Sequence, residues 1–181
     1  MTASDKKPST PLNPHPGVKI CGAPSHAEVI RTPGYPREEI WRKGPVAFIE
    51  CVEEIPCNPC EGACPQGAIT VGRPITNLPV LDAEKCRGCR LCIASCPGLA
   101  IFVKDYTYSA TEAKITFPYE YWPLPAKGQQ VTLVDELGEA VCPGQVLQVM
   151  NTERNKQTPL ITASFPKEYF ERVKSMERLR S

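Results

Sequence analysis

The sequence predicts an α+β fold: a duplicated β-α-β core that holds two metal centres, with an extended N-terminal arm before it and a small β-rich region plus a terminal helix after it. Eight of the ten cysteines lie between Cys51 and Cys96, and the two halves of this stretch superpose at an offset of 32 residues. Short apolar runs stand on both sides of each cysteine group, where strands are expected. These three observations carry the fold prediction.

An extended arm and lead-in are expected over residues 1–45. Residues 1–20 are rich in Pro, Ser, Thr and Asn, a composition typical of extended or flexible segments. Cys21 has no neighbouring cysteine, so we expect it not to bind metal.

The core is predicted over residues 46–104, as strand, ligand loop, short helix and strand, repeated twice. Residues 72–79 form an irregular insertion between the halves. About 59 residues bury too little apolar surface for a robust core, so the metal-free protein should fold poorly. The strands are predicted at residues 46–51, 67–71, 80–82 and 99–103.

The second half carries the more specific motif. Its cysteines, 86, 89, 92 and 96, and Pro97 follow the spacing C-x2-C-x2-C-x3-C-P. Three thiolates at two-residue gaps let one tight loop wrap three corners of an iron–sulfur cube, while the fourth is aimed away from its own loop. The motif resembles that of bacterial two-cluster ferredoxins, in which the fourth cysteine binds the other cluster. This resemblance implies two [4Fe–4S] clusters, rather than zinc or disulfides.

The first half departs from this spacing. The 32-residue offset places its leading ligand at Glu54, whereas the upstream cysteine is Cys51, separated from Cys57 by five residues. A longer loop, similar to that of some ferredoxin-like subunits of larger enzymes, would bring Cys51 round as a ligand, which we favour because only three thiolates remain otherwise. Alternatively, Cys51 is a packed thiol, and the cluster has three irons or uses Glu54. The resemblance implies Cys51, Cys57, Cys60 and Cys96 on the first cluster, and Cys86, Cys89, Cys92 and Cys64 on the second.

Beyond the core we expect a hairpin and a Pro/aromatic connector over 105–124, then a small β-domain with a C-terminal helix over 125–181. The helix is predicted over Lys167 to Arg180, because Tyr169, Val173 and Met176 recur at helical spacing. Cys142 is predicted to be a buried thiol in a turn. The hairpin strands are predicted at 106–109 and 114–117, and the domain strands at 130–134, 145–149 and 159–165.

Composition excludes several classes of function. The formal net charge is +1 and no basic cluster is long enough for nucleic acid. The N-terminus lacks the apolar core of a signal peptide, and no apolar run approaches the ~18 residues of a membrane span. Cysteines in C-x2-C spacing suit a reducing compartment. We therefore expect a cytoplasmic protein without membrane insertion.

No catalytic constellation is visible. The chain has no G-x-G-x-x-G after a strand, no G-x-x-x-x-G-K-[ST], no H-E-x-x-H and no C-x-x-C-H. We therefore expect no enzyme on its own but an electron-transfer subunit of a larger oxidoreductase complex, because the arm and the C-terminal region exceed what a carrier needs. The expected partner is a flavin-containing dehydrogenase. The alternatives are a freely diffusing ferredoxin and a structural or regulatory metal-binding protein, including one that binds zinc.

Overall fold

A seven-stranded antiparallel sheet, in the order β1-β4-β5-β8-β7-β6-β9, runs through the protein, and β2 and β3 form a separate two-stranded sheet. The computed structural model describes residues 16–155 and 158–180. Within those residues, no helix has the length and apolar character needed to cross a membrane. The strands are β1 (Val46–Ile49), β2 (Ile69–Thr70), β3 (Val80–Leu81), β4 (Ile101–Asp105), β5 (Glu112–Pro118), β6 (Gln130–Val134), β7 (Ala140–Met150), β8 (Leu160–Pro166) and β9 (Ser175–Met176).

Among the described residues, three one-turn helices precede the first strand. They are α1 (Val18–Cys21), α2 (His26–Val29) and α3 (Glu38–Trp41). The helix α2 begins with a capping box, in which Ser25 and Glu28 satisfy each other's backbone N–H groups. Residues 18–20, at the end of the predicted extended arm, are helical rather than extended, whereas residues 21–45 are predicted only as a lead-in. The first fifteen residues of the arm lie outside the described residues.

The 32-residue offset of the sequence reappears in the structure between β1 and β4. The helices α4 (Pro59–Ala63) and α5 (Leu91–Ser95) have the same length and stand 32 residues apart. Ile49 pairs with Ile101, and Ile69 pairs with Leu81. Adding 32 to Ile49 and Ile69 gives Leu81 and Ile101, so the entry strand of each half pairs with the exit strand of the other.

The sheet continues from β4 into the C-terminal half without interruption. The strands predicted at 130–134, 145–149 and 159–165 are confirmed as β6, part of β7 and β8. The strand predicted at 106–109 is wrong: these residues form the turn between β4 and β5. The Asp105 side chain accepts hydrogen bonds from both the N–H and the hydroxyl of Thr107, which closes that turn. The domain boundaries at 104/105 and 124/125 stay a prediction.

The predicted terminal helix is also wrong. Lys167–Tyr169 forms a single 3₁₀ turn, and Ser175–Met176 then adds to the sheet as β9 beside β6. Val173 and Met176 are buried, as their spacing suggested. They reach the core through a turn and an edge strand because β6 offers free backbone hydrogen-bonding groups that a helix would leave unpaired.

The core between the sheet and the C-terminal segment is aromatic and also encloses charged side chains. The Phe170 ring contacts the rings of Trp41 and Phe48 at centroid distances of 4.6 and 5.7 Å. Lys104 lies over the rings of Phe48 and Phe170, and its Nζ donates to the Phe170 carbonyl at 2.9 Å. Lys174 pairs with Glu50 in the same interior.

Burial lowers the pKa of Lys104 to about 7, and the Lys174 charge adds to this effect. The folded pKa lies below the unfolded one, so the penalty for burying the charge is complete below pH 7 and is relieved at higher pH. We expect the free energy of unfolding to rise by about 1 kcal/mol per pH unit from pH 7.5 to 8.5. Anaerobic urea titrations at these pH values measure it. Lys104→Met should lose this slope and surface Lys127→Met should keep it; a flat wild-type profile would contradict the expectation.

Candidate metal centres

Four thiols from both halves of the core line one cavity. They are Cys51, Cys57, Cys60 and Cys96. The first three come from the loop after β1 and the start of α4, and Cys96 follows the end of α5. Ile49, Ile101 and Pro97 supply apolar walls. The empty volume, counting its opening to solvent, is about 390 Å³.

A second cavity repeats this arrangement. Cys86 and Cys89 come from the loop before α5, Cys92 lies at the start of α5, and Cys64 follows the end of α4. Its empty volume on the same measure is about 330 Å³. Each cavity thus receives three thiols from one half and one from the other. The matching sets of four thiols suit the same group in both.

The pKa shifts of the buried thiols agree with this division into two groups. Burial, with smaller contributions from the neighbouring thiols of Cys96 and Cys57, raises the pKa of Cys60 to about 11. Burial likewise raises the pKa of Cys92 to about 12, with additional contributions from Cys86, Cys89 and Cys64. Buried thiols crowded in this way cannot all ionise unless positive charge lies between them. Iron supplies that charge, so these donor sets fit a cluster whose binding releases protons.

Backbone N–H groups point at the sulfurs in matching positions. Ala68 N donates to Cys64 Sγ at 3.3 Å, and Ala100 N donates to Cys96 Sγ at 3.4 Å. Both donors lie four residues after the cysteine, and the two pairs are 32 residues apart. Such bonds favour the thiolate form and tune the reduction potential of a bound cluster.

One glycine shapes the second ligand loop. Gly88, between Cys86 and Cys89, has a φ of +60°, and a Cβ there would lie 2.8 Å from Cβ of Pro45. Only glycine combines this backbone conformation with such close approach. Gly88 thereby lets the second ligand loop pack closely against Pro45, the residue before β1.

Cys51 lines the first cavity, as the favoured prediction requires. Burial raises its pKa, with smaller contributions from Cys96 and Cys57, which places it among the other thiols. Glu54 is exposed and lines a different surface groove, whereas Glu53 lines the first cavity. Ligation by Cys51 stays a prediction, and Glu54 lies outside the cavity that it would have to complete.

The other two cysteines lie apart from both cavities. Cys21 is exposed on α1 and its Sγ donates to the Gly17 carbonyl. Cys142 is buried as predicted, but in strand β7 rather than in a turn. In the described part of the chain, no three His, Cys, Asp or Glu side chains are close enough to hold a single metal ion. In a cubane each thiolate binds a different iron, so its four ligands stand further apart than those of one ion.

Sequence reasoning missed the charged residues at the two cavities. Arg87 and Arg90 line the second cavity, and Glu53 lines the first. The signal was present in the sequence, because the two ligand loops carry opposite charge.

Comparison with known proteins defines the class of this protein. Residues 79–102 match the family described as the 4Fe-4S binding domain. This segment includes Cys86, Cys89, Cys92 and Cys96. The match supports a ferredoxin-like iron–sulfur segment in this part of the chain. No solved structure matches the chain.

A curated relative agrees with this class. The polyferredoxin protein MvhB of Methanothermus fervidus is 32% identical over 108 residues, which are 59% of this chain and 23% of that protein. The chain therefore matches less than a quarter of the length of this relative.

Proposed function

We propose that this chain moves electrons through two [4Fe–4S] clusters held in a duplicated core of the bacterial two-cluster ferredoxin type, over residues 46–104. The observation that carries the proposal is the pair of four-thiol cavities, each built by three cysteines of one half and one of the other. The exchanged strand pairs and the matching N–H to sulfur bonds support the duplication.

In this proposal the predicted ligands divide by cavity. A bound [4Fe–4S] cluster supplies one-electron chemistry, and the protein supplies thiolates, N–H donors and an apolar surround. The ligands are Cys51, Cys57, Cys60 and Cys96 for the first cluster, and Cys86, Cys89, Cys92 and Cys64 for the second.

The short helices hold the two sites close together. Cys60 lies within α4 and lines the first cavity, and Cys64 directly follows α4 and lines the second. Four residues of helix rise about 6 Å. Cys92 and Cys96 repeat the arrangement on α5, and α4 packs against α5. The helices α4 and α5 therefore each connect the two cavities over a short distance. Electron transfer between two clusters requires such a short distance.

We further propose that the chain works as a subunit of an oxidoreductase complex, with a flavin-containing partner, rather than as an enzyme by itself. Much of the sheet, from β5 to β9, lies beyond the ligand-bearing segment. Tyr121 and Trp122 are 53% and 69% exposed on this part. Exposed aromatic side chains of this kind are enriched at protein interfaces.

The test of cluster content is anaerobic purification followed by iron and sulfide counting and EPR of the reduced protein. We expect about eight irons per chain and a spectrum broadened by magnetic coupling between two nearby centres. A colourless protein with zinc and no acid-labile sulfide would overturn the proposal, and about four irons would reduce it to one cluster.

Membership of a complex is tested separately by size exclusion of anaerobic native extract. The chain should co-elute with a larger flavin-containing partner. Elution at the size of the isolated chain, with full iron content, would instead favour a freely diffusing carrier.

A further inference from the structure

The two ligand loops have opposite charge. From Cys51 to Gly72 the chain has no lysine or arginine, and three acidic residues, Glu53, Glu54 and Glu61, stand among or beside its cysteines. From Lys85 to Leu99 it has no acidic residue and three basic ones. The duplicated halves have therefore kept the same thiol spacing but differ in electrostatic character.

The structure places these charges at the mouths of the two cavities. Arg87 and Arg90 line the second cavity together with its thiols, and both Arg87 and Cys89 are exposed. The predicted ligand Cys89 thus reaches the surface inside a basic rim. At the first cavity the charged lining residue is Glu53, which is exposed. Each cavity opens to solvent beside charges of one sign.

The basic rim is formed by the guanidinium groups of Arg87 and Arg90. Among the described residues, the ion pairs include none formed by Arg87 or Arg90. The guanidinium of Arg90 donates to Oε1 of Gln148, a neutral partner, at 3.0 Å. Lys43 and Arg87 line an adjoining groove, with Glu84 also on its wall.

The surroundings of the rim combine charge with apolar surface. Leu91 is 49% exposed and directly follows Arg90. Protein interfaces place such apolar contacts inside a polar rim, and like charges at a rim exclude the wrong partner. The first cavity, with Glu53 at its mouth, would repel a partner that the second attracts.

We propose that the surface formed by Arg87, Cys89, Arg90 and Leu91, the basic face, is the docking site for an electron-transfer protein with an acidic surface, which exchanges electrons with the second cluster. This inference rests on the proposed function, since it requires a cluster in the second cavity. One electron passes between that cluster and the redox centre of the partner, so that one is oxidised as the other is reduced. A basic rim raises the encounter rate with an acidic partner and loses this effect as salt increases.

Two haem acceptors test the proposal: cytochrome b5, which has an acidic face, and cytochrome c, which has a basic one. The anaerobically reduced, desalted protein is mixed with each oxidised cytochrome by stopped flow, and the second-order rate constant is measured between 20 and 500 mM salt. The variant carries Arg87→Glu and Arg90→Glu. We expect it to reduce cytochrome b5 roughly tenfold more slowly at low salt and to lose the fall in rate with rising salt. Its rate with cytochrome c should not fall.

The matched control carries Arg178→Glu and Arg180→Glu, which change the net charge equally beyond β9, at the opposite edge of the sheet from β1. It should keep the wild-type rate with cytochrome b5 within about twofold, because screening limits distant charges. Equal slowing in both variants would show that net charge, not this face, sets the rate, and would overturn the proposal.

Iron and sulfide counts separate this proposal from the one on which it rests. Normal counts with unchanged rates in the variant would overturn the basic face and leave the clusters standing, whereas absent clusters in the wild type would overturn both. If the variant binds less iron, the proposal is judged from the salt dependence of the wild-type protein alone. A wild-type rate with cytochrome b5 that stays flat or rises with salt overturns the proposal.

Discussion

Replacing Cys57 and Cys64 together with alanine should remove all iron, whereas replacing Cys57 and Cys96 should leave about four irons per chain. The reason is the exchange of thiols between the halves. Cys57 and Cys96 line the same cavity, so their loss disables one site. Cys57 and Cys64 line different cavities, so their loss disables both.

The measurement is iron and acid-labile sulfide per chain after anaerobic reconstitution, with EPR of the reduced protein. The variant that keeps one cluster should give a single sharp signal without the broadening caused by a second centre. Alanine is used because serine can offer an oxygen ligand. Cys142→Ala is the control, since Cys142 is buried in β7 away from both cavities, and its iron content should equal that of the wild type.

The reverse result would contradict the exchanged assignment. If Cys64 and Cys96 bound the clusters of their own loops, the Cys57–Cys64 variant would keep about four irons and the Cys57–Cys96 variant none. A loss of iron in the Cys142 variant would show that the list of ligands itself is wrong.

Replacing Lys174 with methionine should lower the free energy of unfolding by about 3–5 kcal/mol, because it leaves the Glu50 carboxylate buried and uncompensated. Glu50 and Lys174 form an ion pair whose side chains are 2% and 10% exposed. Among the described residues, Oε2 of Glu50 already has no hydrogen-bond partner, so the lysine is the main compensation for its charge. In a protein of this size the thermal midpoint should fall by roughly 10 °C.

The pair also supports the first predicted ligand, since Glu50 directly precedes Cys51. We expect the visible absorbance of the bound clusters to decay faster on heating in Lys174→Met than in the wild type. Anaerobic melting followed by circular dichroism and by absorbance measures both effects.

A second variant separates the unpaired charge from the lost packing. Glu50→Leu combined with Lys174→Met should recover most of the stability, because buried ion pairs are replaceable by apolar groups of similar size. Lys85→Met breaks the exposed pair with Asp82 and should shift the midpoint by no more than roughly 2 °C. A small effect of Lys174→Met alone would show that water reaches the Glu50 carboxylate.

Several elements could be read from the sequence because their signals are local. The strands β6 and β8 follow from runs of β-branched residues between turns, and both were predicted close to their observed bounds. The ligand loops follow from cysteine spacing, which expresses the distance between the corners of a cluster. The burial of Cys142 was also anticipated, although not its place in a strand.

Other elements could not be read because they depend on distant partners. The spacing of Tyr169, Val173 and Met176 predicts a helix, and the burial of Val173 and Met176 agrees with it. The free edge of β6 nevertheless recruits Ser175–Met176 as a strand. The short helices α1 to α3 were missed because Pro and Gly in this region suggest extended chain, whereas single turns with local caps also tolerate them.

The sequence by itself determined which thiols are available, their division into two repeated groups and the opposite charge of the two loops, since all three are properties of neighbouring residues. The tertiary structure places Cys64 and Cys96 in the cavity of the opposite half, as the resemblance implied. It also decided that Lys174 neutralises Glu50 across 124 residues of chain. Contacts between residues so distant in sequence depend on how the strands pair and on which sheet edge stays free. Strand pairing and free edges are determined by the packing of the whole chain rather than by local spacing.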